Sequence, residues 1–142
     1  MKVYIIRGAP GTGKTTEASE IMDKNEDAVH CSADNYFYEV AALNGTSYLE
    51  EFKPWLVGKA HQFCWHAFIH ALVVMGEKTI IVDNTNIYKW EYENYVFLAE
   101  QLGYEVEIIV TDMSESAEVY HERNTHGVPL DVIQRMLNEF EH

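Results

Sequence analysis

Residues Gly8-Ala9-Pro10-Gly11-Thr12-Gly13-Lys14-Thr15 constrain this chain more than any other segment, because they spell G-x-x-x-x-G-K-[ST]. The apolar run Val3-Tyr4-Ile5-Ile6 before them reads as a strand, and Thr16 to Met22 after them reads as the first turns of a helix. A strand, a glycine loop and a helix in that order form a phosphate cradle. The glycines let backbone N–H groups turn inward, and the helix N-terminus adds its partial positive charge. Lys14 is placed to reach the β- and γ-phosphates of a nucleoside triphosphate. The Thr15 hydroxyl is placed to bind Mg²⁺, and Gly8 through Thr16 is the expected nucleotide-binding segment.

The rest of the chain alternates strand and helix. Strands are expected at about 2–7, 28–31, 78–82 and 105–110, and helices at about 14–24, 54–75, 88–102, 114–123 and 130–140. Pro54 suits the first turn of the long helix and Gly76 its end, while Asn44-Gly45-Thr46-Ser47 signals a turn. Ser114 caps the helix that runs to Arg123, with Ser116 as the alternative cap. This alternation implies an α/β fold of the P-loop NTPase type. It has a parallel sheet of about four to five strands, helices on both faces and a short helical lid. A chain of 142 residues argues for one domain, 1–142. The second strand is expected beside the phosphate-loop strand. Ligands of such sheets sit beyond the carboxyl ends of the strands, where the phosphate loop, Asp34-Asn35 and Asp83-Asn84-Thr85-Asn86 are expected to converge.

Each of these segments carries residues suited to phosphoryl transfer. Ile80-Ile81-Val82-Asp83 is an apolar strand ending in a carboxylate, which suits Asp83 to hold Mg²⁺ alongside Thr15. Asn84, Thr85 and Asn86 are short polar residues at the same edge, able to bind an acceptor or to serve as turn and cap residues. Asp34 is the candidate general base, since an acceptor hydroxyl must lose its proton as the phosphoryl group arrives. Arg123 opens Arg123-Asn124-Thr125-His126-Gly127-Val128-Pro129, a connection broken by glycine and proline. A lid there would swing the guanidinium over the transferring group. Catalysis is therefore expected to rest on Lys14, Asp34 and Arg123.

Other features are read as structural. His61, His66 and His70 share no metal-binding motif. Cys31 and Cys64 read as buried free thiols. Tyr36, Phe37, Tyr38, Trp55, Phe63 and Trp65 read mainly as core. A net charge of −13, with 10 basic against 23 acidic residues, disfavours non-specific nucleic-acid binding. Only three arginines are present, Arg7, Arg123 and Arg135. That scarcity favours an acceptor hydroxyl with little phosphate nearby. No apolar run approaches the roughly 20 residues that span a bilayer, so no membrane association is expected and the location is expected to be cytoplasmic.

Taken together, Gly8–Thr15, Ser32-Ala33-Asp34-Asn35-Tyr36, Ile81–Asn86 and Arg123–Pro129 occur in an order that resembles the kinase domain of bacteriophage polynucleotide kinase. Related ATP-binding, AAA-like kinases share that order, and the resemblance covers most of the chain. It implies ATP and Mg²⁺ as cofactors and transfer to a nucleic-acid 5′-hydroxyl. It matches Asp34 to the general base, Lys14 and Thr15 to the ATP and Mg²⁺ residues, Arg123 to the lid and Asn84-Thr85-Asn86 to the acceptor side. Phe37 stands where the phage enzyme has an arginine, His126 stands near the place of a second lid arginine, and no phosphatase segment is present. The expected activity is phosphorylation of a polynucleotide 5′-hydroxyl. The alternatives are a small-molecule, nucleoside or modified-base kinase, or an ATP-binding regulatory switch.

Overall fold

The computed structural model describes all of residues 1–142. Its elements are β1 (Lys2–Arg7), α1 (Lys14–Lys24), β2 (Val29–Cys31), α2 (Asp34–Asn44), α3 (Tyr48–Glu51) and α4 (Val57–Ile69). They continue with β3 (Thr79–Asp83), α5 (Glu93–Gln101), β4 (Glu105–Val110), α6 (Ala117–Arg123) and α7 (Leu130–Glu139). The four strands are parallel and lie in the order β2-β3-β1-β4.

That order corrects the expected neighbour of β2, because β3 separates it from the phosphate-loop strand. The reason is hydrophobicity. Ile80, Ile81 and Val82 are fully buried, whereas Val29 and His30 are only half-buried. Strands buried on both faces take the centre of a parallel sheet. Side chains alternate across it. Val3, Ile5, Ile80 and Val82 meet Cys64 and Phe68 of α4 and Tyr95 and Ala99 of α5 on one face. Ile6 and Ile81 meet Ala18 and Ile21 of α1 on the other. Burying each large aliphatic chain contributes about 1.5–3 kcal/mol.

The long helix forms as expected but is not uniform. A 3₁₀ turn at Pro54–Leu56 leads into α4, and a π turn at His70–Val74 follows before Gly76. Helices α2 and α3 were not anticipated. Gly45, in the left-handed region at φ 68°, ends α2. The Ser47 hydroxyl then accepts from the Glu50 amide at 3.2 Å and starts α3. Ser116, not Ser114, caps α6 through the Val119 amide. Helices α6 and α7 pack through Ala117, Tyr120 and Ile133.

Arg7 holds the strand edge together. Its guanidinium lies between the rings of Tyr92 and Phe140, at 4.5 and 4.4 Å. It donates to the carbonyls of Asn86, Ile87 and Glu141. Only 3% of Arg7 is exposed, so it is structural. No helix is long and apolar enough to cross a membrane.

Candidate active site

The carboxyl ends of β1 and β3 lie side by side, Ile6 pairing with Asp83. Beta2 ends beside β3, Cys31 pairing with Val82. The loops leaving these three strands therefore open onto one cavity of about 530 Å³. Its wall brings together Pro10, Gly11, Gly13, Lys14, Thr15 and Thr16 from the loop and α1 with Asp34, Asp83, Asn84, Thr85 and Arg123. Gly8, Ala9 and Thr12 lie behind that wall and shape it. The Gly8 amide donates to Thr85 O at 2.9 Å, and the Thr12 hydroxyl donates to Ala9 O at 2.7 Å.

Lys14 is half-buried, and its ammonium donates to the Ala9 carbonyl at 3.2 Å. Burial pushes its pKa below the usual lysine value, while Asp83 and Asp34 oppose that shift. Asp83 is 6% exposed, and its Oδ2 lies 2.9 Å from His30 Nε2. That hydrogen bond leaves Oδ1 free. His30, on β2, was not singled out from sequence; its contact spans 53 residues.

Asp34 is the first residue of α2. Its carboxylate is 43% exposed. Tyr48 donates to Oδ1 at 2.6 Å, and His126 Nδ1 lies 3.5 Å from Oδ2. Burial first, and the bond to Asp34 second, raise the Tyr48 pKa, so this hydroxyl stays a donor. Tyr48, Phe52, Val57 and His61 also line the cavity. Trp55, between Phe52 and Val57 in sequence, is 77% exposed, and Tyr38 is 49% exposed. Neither is core.

The three polar residues after Asp83 divide. Thr85 lines the cavity. Asn84 also reaches it but is 7% exposed, and its Oδ1 accepts from the Ala33 amide at 2.8 Å, tying β3 to the start of α2. Asn86 does not reach the cavity, which corrects its placement as an acceptor residue. It is 1% exposed and its amide donates to Ile6 O at 2.9 Å. Its left-handed backbone, φ 47°, suits an asparagine turn.

Arg123 ends α6, is exposed and faces the cavity without a hydrogen bond or ion pair of its own. In the connection after it, Asn124 Nδ2 is buried without any partner. Buried donors left unpaired are rare and call for an acceptor.

These residues fit a nucleoside triphosphate. A half-buried ammonium held only by a carbonyl, an orphaned amide donor and a free guanidinium all surround one space. Thr15 and Asp83 offer the hard oxygen donors that Mg²⁺ prefers. No three His, Cys, Asp or Glu side chains gather as a metal-binding group. Cys31 and Cys64 are free and buried, and burial raises the Cys31 pKa to about 12.

The sequence model of the AAA_33 family, described as an AAA domain, matches residues 3–142. The chain belongs to this family. Human NEDD4-binding protein 2 is 32% identical over 144 residues, covering 98% of this AAA domain but only 8% of the human protein. The fold is that of P-loop kinases. It matches the structure of the Pnkp1/Rnl/Hen1 RNA repair complex with TM-score 0.67 and 19% identity, over 98% of this chain and 43% of that one. A second structure of the Pnkp1/Rnl/Hen1 complex gives 0.62 at 21% identity, over 86% and 38%. A gluconokinase from Sinorhizobium meliloti 1021 gives 0.56 at 16% identity, over 99% of this AAA domain and 75% of that chain.

Proposed function

We propose that the chain transfers the γ-phosphoryl group of Mg-ATP to an acceptor hydroxyl, and that the acceptor is a nucleic-acid 5′-hydroxyl. The observation that carries this reading is the placement of Asp34. Its partly exposed carboxylate lies on the same cavity wall as Lys14, Thr15, Asp83 and Arg123. A hydrolytic switch has no need of a second carboxylate facing the phosphate loop from another strand end.

Bound Mg-ATP supplies the electrophilic phosphoryl group. Lys14 and Arg123 would stabilise the negative charge of the transferring group. The Thr15 hydroxyl and Asp83 would hold the metal, with His30 keeping the Asp83 carboxylate in place. Asp34 accepts the proton of the acceptor hydroxyl at Oδ1 or Oδ2. Tyr48 and Phe52 on the cavity wall favour an acceptor that carries a nucleobase, since bases stack on aromatic rings. The kinase named among the structural neighbours, a gluconokinase, and the RNA repair complex that shares the fold are consistent with phosphoryl transfer to a hydroxyl.

One observation favours a small-molecule or nucleoside acceptor as the second reading. Lys14 and Arg123 are the only lysine or arginine on the cavity wall. No phosphate clamp is therefore available on the acceptor side.

Incubation with γ-labelled ATP, Mg²⁺ and a panel of acceptors tests both readings. The panel holds 5′-hydroxyl RNA and DNA oligonucleotides, nucleosides and sugar acids. Label on an oligonucleotide is expected, and label on nucleosides or sugar acids alone selects the second reading. Asp34→Asn should cut turnover by about 10² while nucleotide binding persists. Unchanged turnover in that variant removes Asp34 as the base.

A further inference from the structure

We infer that His126, in the connection between α6 and α7, is a positioning residue that aims the Asp34 carboxylate; this rests on the reading of Asp34 as the general base. Three contacts define its place. Its Nδ1 lies 3.5 Å from Asp34 Oδ2. Its Nε2 lies 2.8 Å from the Tyr38 hydroxyl. Its ring lies on Tyr48, with centroids 4.4 Å apart and planes inclined by 31°.

The chemistry of these contacts is directional. Tyr38 can donate to Nε2, and its own pKa is raised, chiefly by burial and then by Asp34, so the hydroxyl keeps its proton. A neutral imidazole that accepts at Nε2 carries its proton on Nδ1, the atom facing Asp34. Tyr48 meanwhile holds Oδ1 at 2.6 Å. The carboxylate is thus held at one oxygen by α3 and approached at the other by the α6–α7 connection. Oriented this way, it keeps one geometry toward the cavity instead of rotating freely.

The connection is itself anchored where this requires. The His126 amide donates to Asn124 Oδ1 at 3.1 Å, and Gly127, at φ 70°, lies against Leu49 of α3. Arg123 and His126 flank this short segment. Docking it on α3 therefore brings a guanidinium to the phosphate side and an imidazole to the base in one movement. Sequence reading assigned His126 no such role; its contact with Asp34 joins residues far apart in the chain.

Two substitutions separate aiming from packing. His126→Phe keeps a ring on Tyr48 but removes the N–H; His126→Asn keeps an N–H near the Nδ1 position but loses the ring. With ATP varied against a saturating 5′-hydroxyl oligonucleotide, His126→Phe should lower kcat about tenfold without changing KM for ATP. His126→Asn should recover most of that loss. In an Asp34→Asn background, His126→Phe should cost nothing further, because the carboxylate it aims is gone. Wild-type kcat in His126→Phe overturns the inference, as do equal losses in both backgrounds. An Asp34→Asn protein with wild-type kcat, or wild-type protein that labels no acceptor, overturns the underlying reading and the inference with it.

Discussion

Replacing Gly11 or Gly13 with alanine isolates two costs that the phosphate loop ordinarily combines. Both residues have left-handed backbones, with φ 81° and 99°. That conformation costs an L-residue about 1–2 kcal/mol. A methyl on Gly13 would have nothing within 4 Å, so Gly13→Ala carries the conformational cost alone. A methyl on Gly11 would collide with the Tyr120 carbonyl of α6. Backbone cannot swing aside as a side chain can, and such overpacking adds about 1–3 kcal/mol. Gly11→Ala should therefore cost about 2–5 kcal/mol against about 1–2 for Gly13→Ala. At about 3 °C per kcal/mol, the expected falls in Tm are about 6–15 °C and about 3–6 °C. Circular dichroism melts without nucleotide measure both. Equal falls would refute the argument that α6 is seated directly on the loop. The contact also has a functional side. Tyr120 lies one turn before Arg123, so α6 displaced by Gly11→Ala should carry the guanidinium away from the phosphate site.

Two further outcomes follow from buried cations. Burial lowers the Lys14 pKa below 10.5, so its charge destabilises the fold without ligand. Between the lowered folded value and 10.5 the unfolded chain binds more protons than the native one, and stability rises with pH there. Lys14→Met should lose nucleotide binding yet match or exceed wild-type stability at pH 7, with wild type gaining on it as pH climbs toward 10.5; paired urea melts across that range check the sign. Arg7→Met strips three carbonyls, those of Asn86, Ile87 and Glu141, of their donor. The loss should be about 3–5 kcal/mol, read as a lower urea midpoint, and a midpoint within experimental error of wild type would remove Arg7 as a clamp.

The phosphate loop, the four strands and most helices were legible because each is a local pattern. An apolar run, a glycine loop or a 3.6-residue period declares itself within a dozen residues. The order of the strands was not read, although a signal existed. Ile80-Ile81-Val82 is uninterrupted by any polar residue, whereas His30 breaks the second strand, and that contrast separates a central strand from an edge one. Helices α2 and α3 were missed because aromatic residues crowd them and blur the period, even though Gly45 and Ser47 mark their boundary. The partners of the acidic residues were beyond local reading. His30 reaches Asp83 across 53 positions, and His126 reaches Asp34 from the far end of the chain. Such contacts exist only once the sheet order brings β2 beside β3 and the α6–α7 connection onto α3. Asn86 illustrates the opposite error, since a polar residue in the right segment proved to be a buried brace for Ile6 O.

The arginines bear on the choice of acceptor more than the net charge does. A charge of −13 is a global quantity, and a local groove could still be basic. Here the local account agrees with the global one. Arg7 is locked between two rings behind the strand edge, and Arg135 sits exposed on α7 outside the cavity wall. Arg123 is left as the one guanidinium facing the site, and under the proposed function it serves the donor nucleotide. Tyr48 and His126 touch Asp34, and Phe52, Val57 and His61 share the same cavity wall. The cavity thus carries its lysine and arginine at Lys14 and Arg123, and a tyrosine and an imidazole at Asp34. An acceptor must be recognised by stacking and hydrogen bonds at its terminal residue. Under the proposed function, a 5′-terminal nucleoside would meet that requirement without a phosphate clamp, and an acidic protein could then act at the end of a nucleic acid while having little affinity for its length.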